Sequence, residues 1–184
     1  NIYFMIVKQI YTGCLFQGAY YVESNGEAAV IDPLREVSEY LNLAESSNSK
    51  IKYIFETHFH ADFISGHLTL SKKTNSPIIF GPKANPSFDC IVAEDNQVFK
   101  IGDISITVLH TPGHTLESTC YLLKDENDVP HCLFTGDTLF IGDVGKPDLA
   151  QKSLNFSKEE LAGILYDSIQ NRIAVLPDNI LIYP

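Results

Sequence analysis

Five side chains able to hold a metal ion stand where three strand-like segments end. His58 and His60 lie two residues apart in Glu56-Thr57-His58-Phe59-His60-Ala61-Asp62, directly after the apolar run 51–55. In extended backbone, side chains at i and i+2 project to the same side, so both imidazoles converge and Asp62 continues the series. Leu109-His110-Thr111-Pro112-Gly113-His114 and Leu133-Phe134-Thr135-Gly136-Asp137 end strands in the same way. Loops at the ends of rigid strands are favoured places for ligands, because the sheet sets where each loop starts. Imidazole with carboxylate suits Zn, Fe(II), Mn or Co. A single histidine near a strand end is more often structural, and His67 and His131 are read so. The joint pattern of His58, His60, Asp62, His114 and Asp137 is read as a metal centre of an enzyme. His110 is balanced between holding the backbone and supporting the ligands from outside. Asp32 is balanced between the same supporting role and capping the turn before Pro33.

The elements that must position these groups alternate between strand and helix. Residues 5–11, 19–22 and 28–31 read as strands, 35–46 as a helix, and 51–55 as the strand that runs into the histidines. Residues 65–74 read as a helix capped near Ser65, 77–80 as a strand, and 81–89 as a loop. Residues 98–101 and 104–109 form a hairpin through Gly102-Asp103, and 118–123 pairs with 131–134. Residues 149–156 read as a loop. Ser157 with Glu160 makes a capping box opening a helix to about Gln170, and the tail 174–183 holds one more short strand. Sheet with helices outside is the expected layering.

Composition narrows the class. At 184 residues and 45% hydrophobic content the chain suits one domain with a substantial core. No apolar run approaches the roughly 18 to 20 residues needed to span a bilayer. The net charge of −10 and the scattering of 13 basic residues argue against nucleic acid and anionic membrane as partners. A cytoplasmic setting is expected. Asn1-Ile2-Tyr3-Phe4 resembles a tag remnant ahead of a native start at Met5. The four cysteines form no Cys-x-x-Cys pair. Cys120 and Cys132 read as buried thiols, Cys14 falls in a turn and Cys90 in a loop.

Thr57-His58-x-His60-x-Asp62, then Thr111-Pro112-Gly113-His114-Thr115, then Thr135-Gly136-Asp137, resembles the signature order of the metallo-β-lactamase superfamily. The resemblance covers nearly the whole chain and implies an αββα sandwich, two mixed sheets face to face with helices outside. Two-metal members usually carry a histidine directly after the motif's aspartate. Here that residue is Phe63, which offers no lone pair, so one metal is expected rather than two. The stretch from Thr135 to Leu149, the segment from Glu56 to His67, Ile10-Tyr11-Thr12-Gly13-Cys14-Leu15 and Ile31-Asp32-Pro33 resemble persulfide dioxygenases, in particular those fused to rhodanese domains.

That resemblance implies one Fe(II) per chain held by His58, His114 and Asp137, with zinc as a substitute. This facial triad leaves three positions open. Both a persulfide sulfur and O₂ need access if the sulfur is to be oxidised to sulfite. Spacing alone puts His60 among the ligands, whereas the family reading sets His60 and Asp62 beside the iron as groups that hydrogen-bond the ligands. Both also count as candidate catalytic residues, and Asp62 as a candidate for a second metal. Lys146 stands where the family usually has arginine and is a candidate for attracting an anionic substrate such as glutathione persulfide. A homodimer or homotetramer and a downstream rhodanese domain are further expectations. Residues 5–184 read as one domain that lacks its C-terminal end, since the resemblance leads one to expect a His-Gly segment and further helix. A glyoxalase II-like thioester hydrolase is the alternative enzyme, and a non-catalytic metal-binding fragment the alternative of another class.

Overall fold

Strands that are apolar on both faces must be covered on both. The computed structural model describes residues 5–13, 17–147 and 156–184. The tag-like residues 1–4, Cys14 and all of the loop 149–156 except Phe156 lie outside the described residues. Strands β1 (Met5–Thr12), β2 (Gln17–Ser24), β3 (Glu27–Ile31), β4 (Lys50–Glu56), β5 (Ile78–Phe80) and β6 (Ile91–Val92) form one sheet in that order. Strands β7 (Val98–Ile101), β8 (Ile104–His110), β9 (Thr119–Lys124), β10 (Pro130–Phe134) and β11 (Leu181–Tyr183) form the second, ordered β11-β10-β9-β8-β7. Both are mixed: β3, β4, β5 and β6 run parallel, as do β10 and β11, and the other pairs are antiparallel.

Period-two alternation sends each apolar side chain to a definite layer. Tyr20, Val22, Ala29, Ile31 and Phe55 of the first sheet meet Ile106, Val108, Tyr121, Leu123 and Phe134 of the second in the central core. Their neighbours Tyr21, Ala28, Val30 and Ile54 face outward, under Tyr40 and Ala44 of helix α1 (Ser38–Ser46) and Leu70 of helix α2 (His67–Thr74). Cys120, Leu122 and Leu133 face outward from the second sheet onto Ile169 and Ile173. These two lie in a π-helical turn (Ile169–Ile173) that continues helix α3 (Lys158–Ser168). The αββα layering is thus observed. No helix among the described residues is long and apolar enough to cross a membrane.

Three local expectations shift. Helix α1 starts at Ser38 rather than at residue 35, because Leu34 is used elsewhere: it bridges to Ser65 and its N–H donates to the Tyr40 hydroxyl at 2.9 Å. Helix α2 starts at His67 with Gly66 at its cap position; the Ser65 hydroxyl donates to Glu56 Oε1 at 2.7 Å while its oxygen accepts the His67 N–H at 3.3 Å. The two-residue β6, just beyond the expected loop 81–89 and assigned no strand from the sequence, is too short to show alternation. The Ser157–Glu160 capping box is present, with Glu160 N–H donating to Ser157 Oγ at 3.1 Å and Ser157 N–H to Glu160 Oε2 at 2.8 Å.

The second sheet grips the histidine loop of the first. The buried Tyr121 hydroxyl donates to the Glu56 carbonyl at 2.8 Å, and the Thr119 N–H donates to the Thr57 carbonyl at 2.9 Å. At Gly136, φ is +47°, and a Cβ would stand 2.4 Å from Thr57 Oγ1, so only glycine lets the two loops approach this closely. Tyr121→Phe deletes one of these cross-sheet bonds while keeping the packed ring. It is expected to cost about 1 kcal/mol and to lower Tm by roughly 2–4 °C, read by calorimetry. An unchanged Tm would show that this bond does not hold the sheets together.

Candidate metal centre

The ends of β3, β4, β8 and β10 open onto one edge of the sandwich. One ligand atom each of His58, His114 and Asp137 lies within 4.8 Å of the others. His114 Nε2 stands 3.4 Å from Asp137 Oδ2. Both imidazoles are buried, and Asp137 is partly exposed.

Neighbouring groups assign the ring tautomers. His114 Nδ1 lies 2.9 Å from the Lys146 carbonyl, which can only accept, so Nδ1 carries the proton and Nε2 keeps a free lone pair. The Thr57 hydroxyl donates to Asp32 Oδ2 at 2.7 Å. Its own lone pair, 3.0 Å from His58 Nδ1, then receives the Nδ1 proton, and His58 Nε2 is left free. Burial, aided by the adjacent His60, pulls the His58 pKa down to about 3. Its imidazole is therefore neutral, the form a metal requires. The Asp137 carboxyl is raised by burial, against the pull of His114. Two free imidazole lone pairs and one carboxylate, facing one point, fit a divalent Zn or Fe ion.

His60 stands apart from this triad. Its ring centroid is 4.2 Å from that of His58, but its Nε2 points to Asp32 Oδ1 at 3.1 Å, with Glu56 Oε2 at 3.7 Å. Asp32 is 4% exposed, with φ +47°. Its carboxylate also accepts the Thr57 N–H at 2.8 Å, and its carbonyl accepts Gln17 Nε2 at 2.9 Å. Burial opposes ionisation of Asp32, yet His60 and the Thr57 donors hold its carboxyl below the usual range. Burial likewise works against charge on His60, but Asp32 outweighs it and lifts the pKa to about 9. Glu56, buried beside Ser65 and His67, is raised chiefly by burial. Asp32, Glu56 and His60 also bring ligand atoms within 4.8 Å of one another. Protein donors already occupy both Asp32 oxygens and Glu56 Oε1, so this second group reads as a brace behind the histidines.

The remaining candidates fall into place around a cleft of about 480 Å³. Asp62 is exposed on its wall and takes no part in the triad; Phe63 also lines it and packs on His60, ring centroids 4.3 Å apart. The ring nitrogen of His110 meets the Leu116 carbonyl at 2.9 Å, which braces the loop that carries His114. Lys146 contributes its carbonyl to His114, while its exposed side chain is not among the residues lining the cleft. Sequence reasoning gave no separate role to Glu56 or to the Thr57 hydroxyl. The polar Glu-Thr pair ending an apolar strand was the available signal.

The model of the metallo-beta-lactamase superfamily matches residues 12–176. A hydroxyacylglutathione hydrolase of Dictyostelium discoideum is 34% identical over 166 residues, 88% of this chain and 58% of that protein. Among solved structures, a metallo-beta-lactamase from Staphylococcus aureus subsp. aureus COL is 37% identical with a TM-score of 0.87, covering 98% of this chain and 55% of the other. ETHE1 from Myxococcus xanthus is 28% identical with a TM-score of 0.82, covering 98% and 75%. The chain thus spans about three fifths of the length of the first curated relatives it matches. By sequence match, layer order and the grouping of its histidines and aspartate, this chain belongs to the metallo-beta-lactamase superfamily.

Proposed function

We propose that His58, His114 and Asp137 hold one Fe(II), and that the centre oxidises the terminal sulfur of a low-molecular-weight persulfide with O₂. The observation that carries this reading is Phe63. A ring that cannot donate packs on His60, and His60 in turn faces Asp32, so of the two three-ligand groups among the described residues only His58, His114 and Asp137 keeps its ligand atoms free for a metal. The ETHE1 structure fits the same reading. Bound iron would supply electron transfer between sulfur and O₂ and a place for both to meet.

The balance of the reaction sets what the residues must do. Taking a sulfane sulfur to sulfite removes four electrons, the capacity of one O₂. Persulfide, O₂ and water give thiol, hydrogensulfite and one proton. Asp32, through Thr57, and the Lys146 carbonyl, directly, hold both imidazoles in the tautomer that leaves Nε2 free. His60, charged by its pairing with Asp32, favours an anionic persulfide beside it. Asp62, which lines the cleft, would take the proton that a neutral persulfide sheds in becoming that anion.

A second reading is a metal-dependent thioester hydrolase. The names of the curated relatives, hydroxyacylglutathione hydrolases at 30–34% identity, back it more than they back sulfur oxidation. In that reading Asp62 takes the proton of a water attacking a thioester carbonyl.

Anaerobically purified protein is expected to hold about one iron per chain and to consume O₂ when persulfide is added, measured by metal analysis and an oxygen electrode. About two zinc ions per chain with thioester cleavage and no O₂ uptake would instead establish the hydrolase. Bound metal without turnover on either substrate would point to a non-catalytic chain. Phe63→His is expected to raise the metal content toward about two per chain; content unchanged at one would mean that Phe63 does not decide the number. Asp32→Asn is expected to weaken metal binding about 10–100-fold with the fold kept by circular dichroism. Undiminished affinity would remove Asp32 from the account.

A further inference from the structure

The cleft wall carries carboxylates alongside the polar side chains of Gln9, Tyr11, Gln17 and His60. Asp62 and Asp137 present carboxylates there, the Asp32 carboxylate being taken up by Thr57, and among the described residues no lysine or arginine lines it. His60, which also lines it, has Nε2 3.1 Å from Asp32 Oδ1 as a charge contact without an aligned hydrogen bond. Gln17 supplies an independent sign of a ligand. It lines the cleft at 8% exposure, its Nε2 is engaged by the Asp32 carbonyl at 2.9 Å, and its Oε1 is buried without a partner. A buried acceptor left unpaired is unfavourable, and an N–H group brought by a ligand relieves it.

We infer that this wall selects the thiol carrier: Asp62 and Gln17 receive N–H donors on the arm next to the sulfur, so carriers with an ammonium or amide there are preferred over carriers with a carboxylate. The inference rests on the reading that a sulfur compound occupies the cleft. Sulfur is drawn to the ion whatever the carrier, so discrimination must come from the arm. A carboxylate on that arm meets Asp62 and the overall charge of −10, and like charges set side by side are rejected. An ammonium or amide on the same arm meets the Asp62 carboxylate and the unpaired Gln17 Oε1 instead. Asp62 is the specificity residue because it is exposed at the wall and outside the triad.

The test is calorimetric binding of cysteamine and 3-mercaptopropionate, which share a two-carbon arm, to the zinc-loaded protein at one pH. The preference for the ammonium arm is compared between wild type, Asp62→Asn and Asp62→Lys, so the differing acidity of the two thiols cancels. Asp62→Asn is expected to lower the preference by about two- to fivefold, and Asp62→Lys to lower it further. A preference that stays constant across the three proteins, or rises in either variant, overturns the inference. The zinc complex consumes no O₂, so failure of the dioxygenase reading would appear in the oxygen electrode and leave this result standing.

Discussion

The buried carboxylate of Asp32 is the constraint on which the candidate centre depends. Taking an isolated carboxylate out of water costs several kcal/mol, and here the Thr57 N–H, the Thr57 hydroxyl and His60 Nε2 offset that cost. The chain reaches this geometry by turning through a left-handed backbone at the end of β3, with the Asp32 N–H held by the Phe55 carbonyl at 2.9 Å. Each partner that satisfies Asp32 is thereby positioned. Thr57 holds His58 Nδ1 and leaves its free nitrogen to the triad, and His60 is drawn away from that group. One acidic side chain thus determines which histidine is available to a metal and which is not.

The same loop is held from the opposite sheet. The Tyr121 hydroxyl, the Thr119 N–H and the close approach of Gly136 lock the end of β4 against β9 and β10. The side chains that converge on the cleft come from four strand ends in two sheets, so their spacing depends on the central core between those sheets. Phe55, Tyr121 and Phe134 fill that core directly behind the site. Stability and ligand geometry are therefore coupled through the same packed aromatic side chains.

Much of this was legible in the sequence. The i, i+2 histidines, the strand ends and the capping box are patterns of residue type, and residue types are what a sequence lists. The layering followed from the alternation of strand and helix signals, and its αββα form from the family resemblance. The partner relations were harder to read. The carbonyl of Lys146 that fixes the His114 tautomer belongs to no residue type, and the lysine side chain suggested a different role for that position. His60 illustrates the limit: spacing puts it beside His58, and only the placement of Asp32 across β3 shows where its nitrogen points. The starts of α1 and α2 moved because Leu34 and Ser65 bind each other's loops, a tertiary contact that local propensity does not contain.

The central claim is a single ion among His58, His114 and Asp137, with His60 kept on Asp32. Anomalous diffraction from crystals of the metal-loaded protein tests it most directly. One anomalous peak per chain is expected, bounded by those three side chains, with His60 Nε2 still directed at the Asp32 carboxylate. Two peaks sharing Asp137, with His60 or Asp62 turned to ligate, would contradict it.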